Sequence, residues 1–172
     1  MNNIPEKIHA FNVYLRGNRL LGLSDEVTLP DFEAVTETLS GPGILGELES
    51  VALGQFSSME MEIPFRQMDD DMFKLADQST SLDITLRGSI QFTIGSTTET
   101  AFKPMRIVVR GKNKSIAGGK AKQGNGTGSS IKIEIAYIYI EINNAPKIEL
   151  DKLKFVFKVN GKDLLEKVRR MC

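Results

Sequence analysis

Residues 81–94 read S-L-D-I-T-L-R-G-S-I-Q-F-T-I and alternate without a slip. Leu82, Ile84, Leu86, Ile90, Phe92 and Ile94 fall on one face, with Gly88 in register. Ser81, Asp83, Thr85, Arg87, Ser89, Gln91 and Thr93 fall on the other. This period of two predicts an antiparallel strand buried on one side. At about 3.3 Å per residue it would run roughly 45 Å, whereas a compact chain of 172 residues has a radius of gyration of only about 16 Å. Such a strand crosses the whole body or projects beyond it. Its polar face, mostly small and neutral, reads as a wall facing water.

The same alternation places other strands around this wall. Residues 8–16 and 20–23 suit a hairpin turning at Gly17-Asn18. Met59, Met61, Ile63 and Phe65 alternate with Glu60 and Glu62, and Met105, Ile107 and Val109 alternate with cations. Across residues 131–142 the apolar phase changes at Ala136, from Ile131, Ile133 and Ile135 to Ile138, Ile140 and Ile142. A bulge, or a strand covered on both faces, would do this. Leu153, Phe155, Phe157 and Val159 predict a last strand and Asn160-Gly161 a turn. Helices are short: one after Asp69-Asp70-Asp71, whose acids suit its N-terminus, and one over 163–171, ending in cations. The expected class is mainly β, a β-sandwich or partial barrel of two packed antiparallel sheets with one or two short flanking helices.

Two segments break the pattern. Residues 38–58 hold four glycines and a proline together with Ile44, Leu45, Leu48, Val51, Leu53 and Phe56. Loops are commonly shorter and more polar, so this one is expected to pack on something outside the domain. Residues 112–130 form a basic loop rich in Gly, Ser and Asn. The whole chain, 1–172, reads as a single domain carrying these two loops.

Charge adds a second asymmetry. Twenty-two cations balance 22 anions, so no global charge recruits nucleic acid or membrane. Yet residues 24–65 contain nine acids and no base, with Glu47 and Glu49 in the long loop. Residues 106–132 contain seven bases and no acid, among them Lys112, Lys114, Lys120 and Lys122. The lone cysteine, Cys172, excludes an internal disulfide framework, and the N-terminus lacks the apolar core of a signal peptide. A cytosolic origin is expected.

Chemistry is hard to find. His9, the only histidine, has no second ligand or base near it in sequence; Cys172 lies at the terminus; the three aspartates are explained by capping. Glu60 and Glu62 share the polar face of a strand. The segment Gly118-Gly119-Lys120-Ala121-Lys122 resembles a phosphate loop, but no Ser or Thr follows Lys120 and a strand follows where a helix should. No catalytic, cofactor-binding or metal site is expected.

Asn12-Val13 with Leu15 and Gly17, Val27-Thr28-Leu29-Pro30, and Gly41-Pro42-Gly43 with Gly46 follow one another along the chain. They are succeeded by Arg110-Gly111-Lys112 with Lys114, Lys122-Gln123-Gly124, Lys158-Val159-Asn160-Gly161 with Asp163, and Arg169-Arg170. This ordered set resembles the major tail tube protein of contractile-tailed bacteriophages and related phage-tail-like bacteriocins. The resemblance implies a non-enzymatic subunit of six-membered rings, stacked into a hollow tube within a contractile sheath, with baseplate and terminator proteins as further partners and DNA as passing cargo. It also implies two packed β-sheets, some of whose strands join a barrel lining the channel. Ser81, Asp83, Thr85, Arg87, Ser89, Gln91 and Thr93 are then the expected lumen face. Ile44, Leu45, Glu47, Leu48, Glu49, Val51, Leu53 and Phe56 of the long loop, with Lys112, Lys114, Lys120 and Lys122, are the expected inter-subunit contacts. The rival expectation is a monomeric ligand- or carbohydrate-binding β-sandwich without catalysis.

Overall fold

The computed structural model describes residues 2–172. In chain order its elements are β1 (Ile4–Leu15), β2 (Asn18–Arg19), β3 (Ala34–Leu39), β4 (Leu48–Phe56), β5 (Glu60–Phe65) and α1 (Asp70–Lys74). They continue with β6 (Leu82–Thr93), β7 (Thr100–Ala117), β8 (Ser129–Ile142), β9 (Ala145–Asp151), β10 (Val156–Val159), β11 (Lys162–Asp163) and α2 (Glu166–Met171). One nine-stranded sheet runs β11-β10-β9-β8-β7-β6-β1-β2, with β5 also paired to β8, and β3-β4 form a separate two-stranded sheet. All pairings are antiparallel. The mainly β class with two short helices is as expected.

The phase change in β8 is a bulge. Tyr137 pairs with Arg110 and Ile135 with Gly111, leaving Ala136 as the extra residue. Its carbonyl accepts instead from the Lys152 amide at 3.0 Å. The bulge divides β8 between two partners, β5 along residues 129–134 and β9 along 137–142. The large sheet thereby curls onto itself, since one core takes Val13 from β1, Met61, Ile63 and Phe65 from β5, Ile84 and Leu86 from β6, Val109 from β7 and Ile131, Ile133 and Ile138 from β8. Gly111 faces the bulge, where a Cβ would stand 1.9 Å from the Glu134 carbonyl oxygen.

Helix α1 closes one end of the core with Met72 and Leu75. Asp69 caps it, Oδ1 accepting from the Met72 amide at 3.0 Å, and Asp71 accepts from the Leu21 amide at 2.9 Å.

Four local expectations are corrected. The first hairpin turns at Arg16-Gly17, both at positive φ, one residue earlier than expected. Residues 38–58 are no loop: β3 and β4 make them a hairpin, and only 40–47 connect. The basic loop shrinks to 118–128, because β7 runs on through Ala117. The strand expected over 153–159 begins only at Val156, as β10; Asp151 Oδ1 accepts from the amides of Leu153 and Lys154 and turns the chain there, so Leu153 and Phe155 point to solvent. The strand paired with it is β9, which the alternation did not indicate.

Candidate functional site: wall, hairpin and charged segments

Four long strands lie side by side in the order β8-β7-β6-β1. Their outer face carries the alternating polar set, because the inner positions of the same strands are spent on the core. Asp83, Thr85, Arg87, Ser89, Gln91 and Thr93 all lie on β6 as expected, and Ser81 immediately precedes it. Cross-strand pairing extends the face in rows: Asp83–Arg110–Tyr137, Thr85–Val108–Tyr139 and Arg87–Arg106–Glu141. On the other side, Tyr14 pairs with Thr85 and Asn12 with Arg87.

The polar side chains are largely engaged. Arg110 Nε lies 3.5 Å from Asp83 and Arg106 Nη2 donates to Glu141 at 3.2 Å. Tyr139 donates to the same Glu141 at 2.7 Å, a bond to the protonated phenol that raises its pKa. Gln91 and Thr93 donate to Glu6, which holds that carboxyl below its usual range. Past the core, the far ends of β1 and β7 leave Ile4, Ile8 and Phe102 exposed.

The β3-β4 hairpin stands apart from the large sheet. Val35, Leu39, Ile44, Leu45, Leu48, Val51 and Leu53 are exposed, Leu45 fully. Such a collection of apolar side chains around Glu37, Glu47 and Glu49 is unusual for a solitary surface. Its base is anchored: Gly54 packs so closely on Leu165 that a Cβ would lie 2.6 Å from Cδ1. Phe56 is drawn into the chain's own fold, edge-to-face with Phe32 and Phe157 at 5.8 and 5.1 Å. It is therefore not a free contact residue, unlike the remainder of the expected hairpin set.

The basic segment divides in two. Lys112 and Lys114 stand on β7, not on a loop. Lys114 bonds to Glu60 and lies 3.4 Å from Glu134, which raises its own pKa and lowers that of Glu60. Part of the charge segregation in sequence is thus cancelled inside the chain, because β5 and β7 flank β8. Lys120 and Lys122 remain exposed. Their loop is pinned at its root: the Lys120 amide donates to Thr127 O at 2.8 Å and Ser129 Oγ to Gly118 O at 3.0 Å.

Among the described residues no three His, Cys, Asp or Glu side chains gather as a metal site would need. Among these residues no helix is long and apolar enough to cross a membrane. His9 stacks edge-to-face on Phe102 at 5.3 Å.

A curled antiparallel sheet with a polar wall of long strands and an outlying apolar hairpin defines a structural β-protein that leaves surface for neighbours. Residues 5–171 match the family described as phage tail tube protein FII. The chain belongs to that family. It is 30% identical over 169 residues to the tail tube protein of Escherichia phage P2, covering 97% of this chain and 96% of that one. It is 27% identical over 162 residues to the major tail tube protein of Serratia phage KSP20, covering 94% and 91%. Its fold also matches, with a TM-score of 0.56 and 15% identity, a chain in the cryo-EM structure of the sheath/tube terminator of an extracellular contractile injection system. That match covers 80% of this chain and 96% of the other.

Proposed function

We propose that this tail tube protein forms rings of six copies that stack into the inner tube of a contractile tail or phage-tail-like particle. The observation that carries the reading is the run of four adjacent long strands with one polar face. Six copies of four strands give a barrel of about 24, and at a spacing of about 4.8 Å and a tilt of about 40° its backbone diameter is roughly 50 Å. Side chains narrow this, yet a DNA duplex fits. The face of Ser81, Asp83, Thr85, Arg87, Ser89, Gln91 and Thr93 lines the lumen. Tail sheath protein surrounds the tube, baseplate and terminator proteins close its ends, and DNA passes without sequence-specific binding where the particle is a phage. The subunit is assembled in the bacterial cytoplasm, inserts into no membrane and performs no catalysis.

The hairpin supports the same reading, since Leu39, Ile44, Leu45, Leu48, Val51 and Leu53 are exposed in the subunit and a neighbouring copy would bury them. Deleting 43–55 should then leave a folded subunit that cannot elongate; normal tubes from this variant would reject that role. For the lumen, Cys172→Ser removes the exposed native thiol, after which cysteine is placed at Thr85 or Ser89. In assembled tubes these positions should resist a bulky thiol reagent that labels them in the free subunit. Rapid labelling in tubes would sink the assignment. The rival reading, a monomeric carbohydrate-binding sandwich, needs an open aromatic platform. All three tyrosines instead lie beneath arginines, and the exposed Phe73, Phe102 and Phe155 sit on three separate segments. Rings or tubes in negative stain distinguish the two.

A further inference from the structure

The three tyrosines of the chain share the polar face of the wall, and an arginine covers each. The guanidinium carbon of Arg87 is 5.7 Å from the ring centre of Tyr14, that of Arg106 is 5.6 Å from Tyr139, and that of Arg110 is 4.7 Å from Tyr137. None of these partners is near its arginine in sequence; register alone brings them together. For two of the three a carboxylate completes the arrangement. Glu141 accepts from both Arg106 and the Tyr139 hydroxyl, and Asp83 lies 3.5 Å from Arg110. Behind them Tyr137 donates to Glu149 at 3.3 Å, and Glu149 lies 3.9 Å from Lys158. Arg87 has a ring but, among the described residues, no carboxylate at ion-pair distance.

An arginine grips phosphate through the N–H groups on its edge. Directing that edge at a carboxylate engages N–H groups that would do so, and stacking the guanidinium face on a ring fixes the direction in which the edge points. Half-exposed pairs of this kind add little to fold stability, so stability is a poor reason for three of them on one face. Free arginines repeated up a tube would displace counterions from a polyanion and hold it. We infer that the tyrosine and carboxylate clamps on Arg106 and Arg110 weaken the wall's grip on a phosphate backbone in transit, leaving Arg87 as the unclamped arginine of the face beside the exposed lysines Lys7 and Lys112. The inference rests on the lumen reading above.

The test uses tubes assembled from the full chain, sedimented with a fluorescent linear DNA duplex or with a covalently closed circle of the same sequence. The circle cannot thread a tube. Glu141→Gln, which releases Arg106, should raise retention of the linear duplex at low salt at least threefold, with a steeper salt dependence. Adding Arg106→Gln should return it to the wild-type level, and the circle should stay unbound throughout. Unchanged retention of the linear duplex, with a cysteine at Thr85 protected in the same tubes, overturns the clamp and leaves the lumen standing. Equal retention of the circle places the arginines outside and overturns both. Should Glu141→Gln fail to assemble, Tyr139→Phe removes only the hydroxyl that braces Glu141; a smaller gain supports the clamp, and no gain counts against it.

Discussion

If rings meet through the charges that the fold leaves unpaired, reversing Glu47 and Glu49 to lysine should stop elongation at low ionic strength. The wider segregation in sequence overstates the pair, since Lys114 is held by Glu60 and Glu134 within the chain. What remains is Glu47 and Glu49 on or beside the hairpin's connection and Lys120 and Lys122 on the 118–128 loop, all exposed. An open stack uses two different patches of one subunit, which is what such a pair supplies. One exposed ion pair contributes about 0–1 kcal/mol. Two per subunit around a ring of six amount to as much as about 12 kcal/mol per junction, and at that upper end they decide whether a stack grows. The screening length falls from about 10 Å at 0.1 M salt to about 3 Å at 1 M, so the defect should fade as salt rises. Lys120→Glu with Lys122→Glu in the reversed chain should partly restore length. The assay is tube length by electron microscopy across a salt series. Full-length tubes from Glu47→Lys with Glu49→Lys at low salt would show that these patches do not meet.

Other expectations concern the subunit alone. Gly111→Ala drives a Cβ into the Glu134 carbonyl at the β8 bulge and should cost about 1–3 kcal/mol, read from the denaturation midpoint; an unshifted midpoint would mean that the bulge yields freely. Ile138→Ala, at a position with no exposed surface, should cost about 2–5 kcal/mol by the same measurement. Asp69→Ala removes the cap of α1 and should cost about 1 kcal/mol. Arg169 holds Asp163 below the usual carboxylate range. A depressed folded-state pKa contributes stability above the unfolded value, and it is lost as pH falls through the folded one. Asp163→Asn should therefore destabilise at neutral pH and converge on the wild type below about pH 4; a gap independent of pH would contradict this.

Where one face of a strand is buried, the chain records it. The alternation in β6 and the parity change of the β8 isoleucines both reflect contact with the core, and both were legible to within a residue or two. The β3-β4 hairpin was not, because most of its side chains are exposed and the core imposes no pattern on it. Residues such as Thr36, Glu37, Ser50 and Val51 are ordered by backbone pairing, and pairing of that kind leaves no periodic trace. The alternation at 153–159 misled for the opposite reason: an aspartate turn at Asp151 overrides it. For the wall, the polar side of β6 was readable, but the arginine-tyrosine-carboxylate sets were not. They depend on which residues of β7 and β8 stand opposite each other, and the bulge at Ala136 sets that register.

The unshared side of β1 carries features that would guard such a chain against premature association. Beyond the short β2 contact at Tyr14 and Leu15, its outer edge has no partner strand among the described residues. A long, flat, apolar edge would template indiscriminate pairing. Two register shifts against β6, between Pro5 and Lys7 and between Ile8 and Ala10, break the ladder where Glu6 and His9 stand as extra residues. Bulges and charges at an edge twist it away from casual partners. A copy with a matched edge, held in place by several contacts at once, can still meet it. The first contact with a growing end is then the demanding one. Restoring flat register by deleting Glu6 and His9 together should shorten the lag before tubes or aggregates form in light scattering, and an unchanged lag would mean that the bulges do not protect the edge.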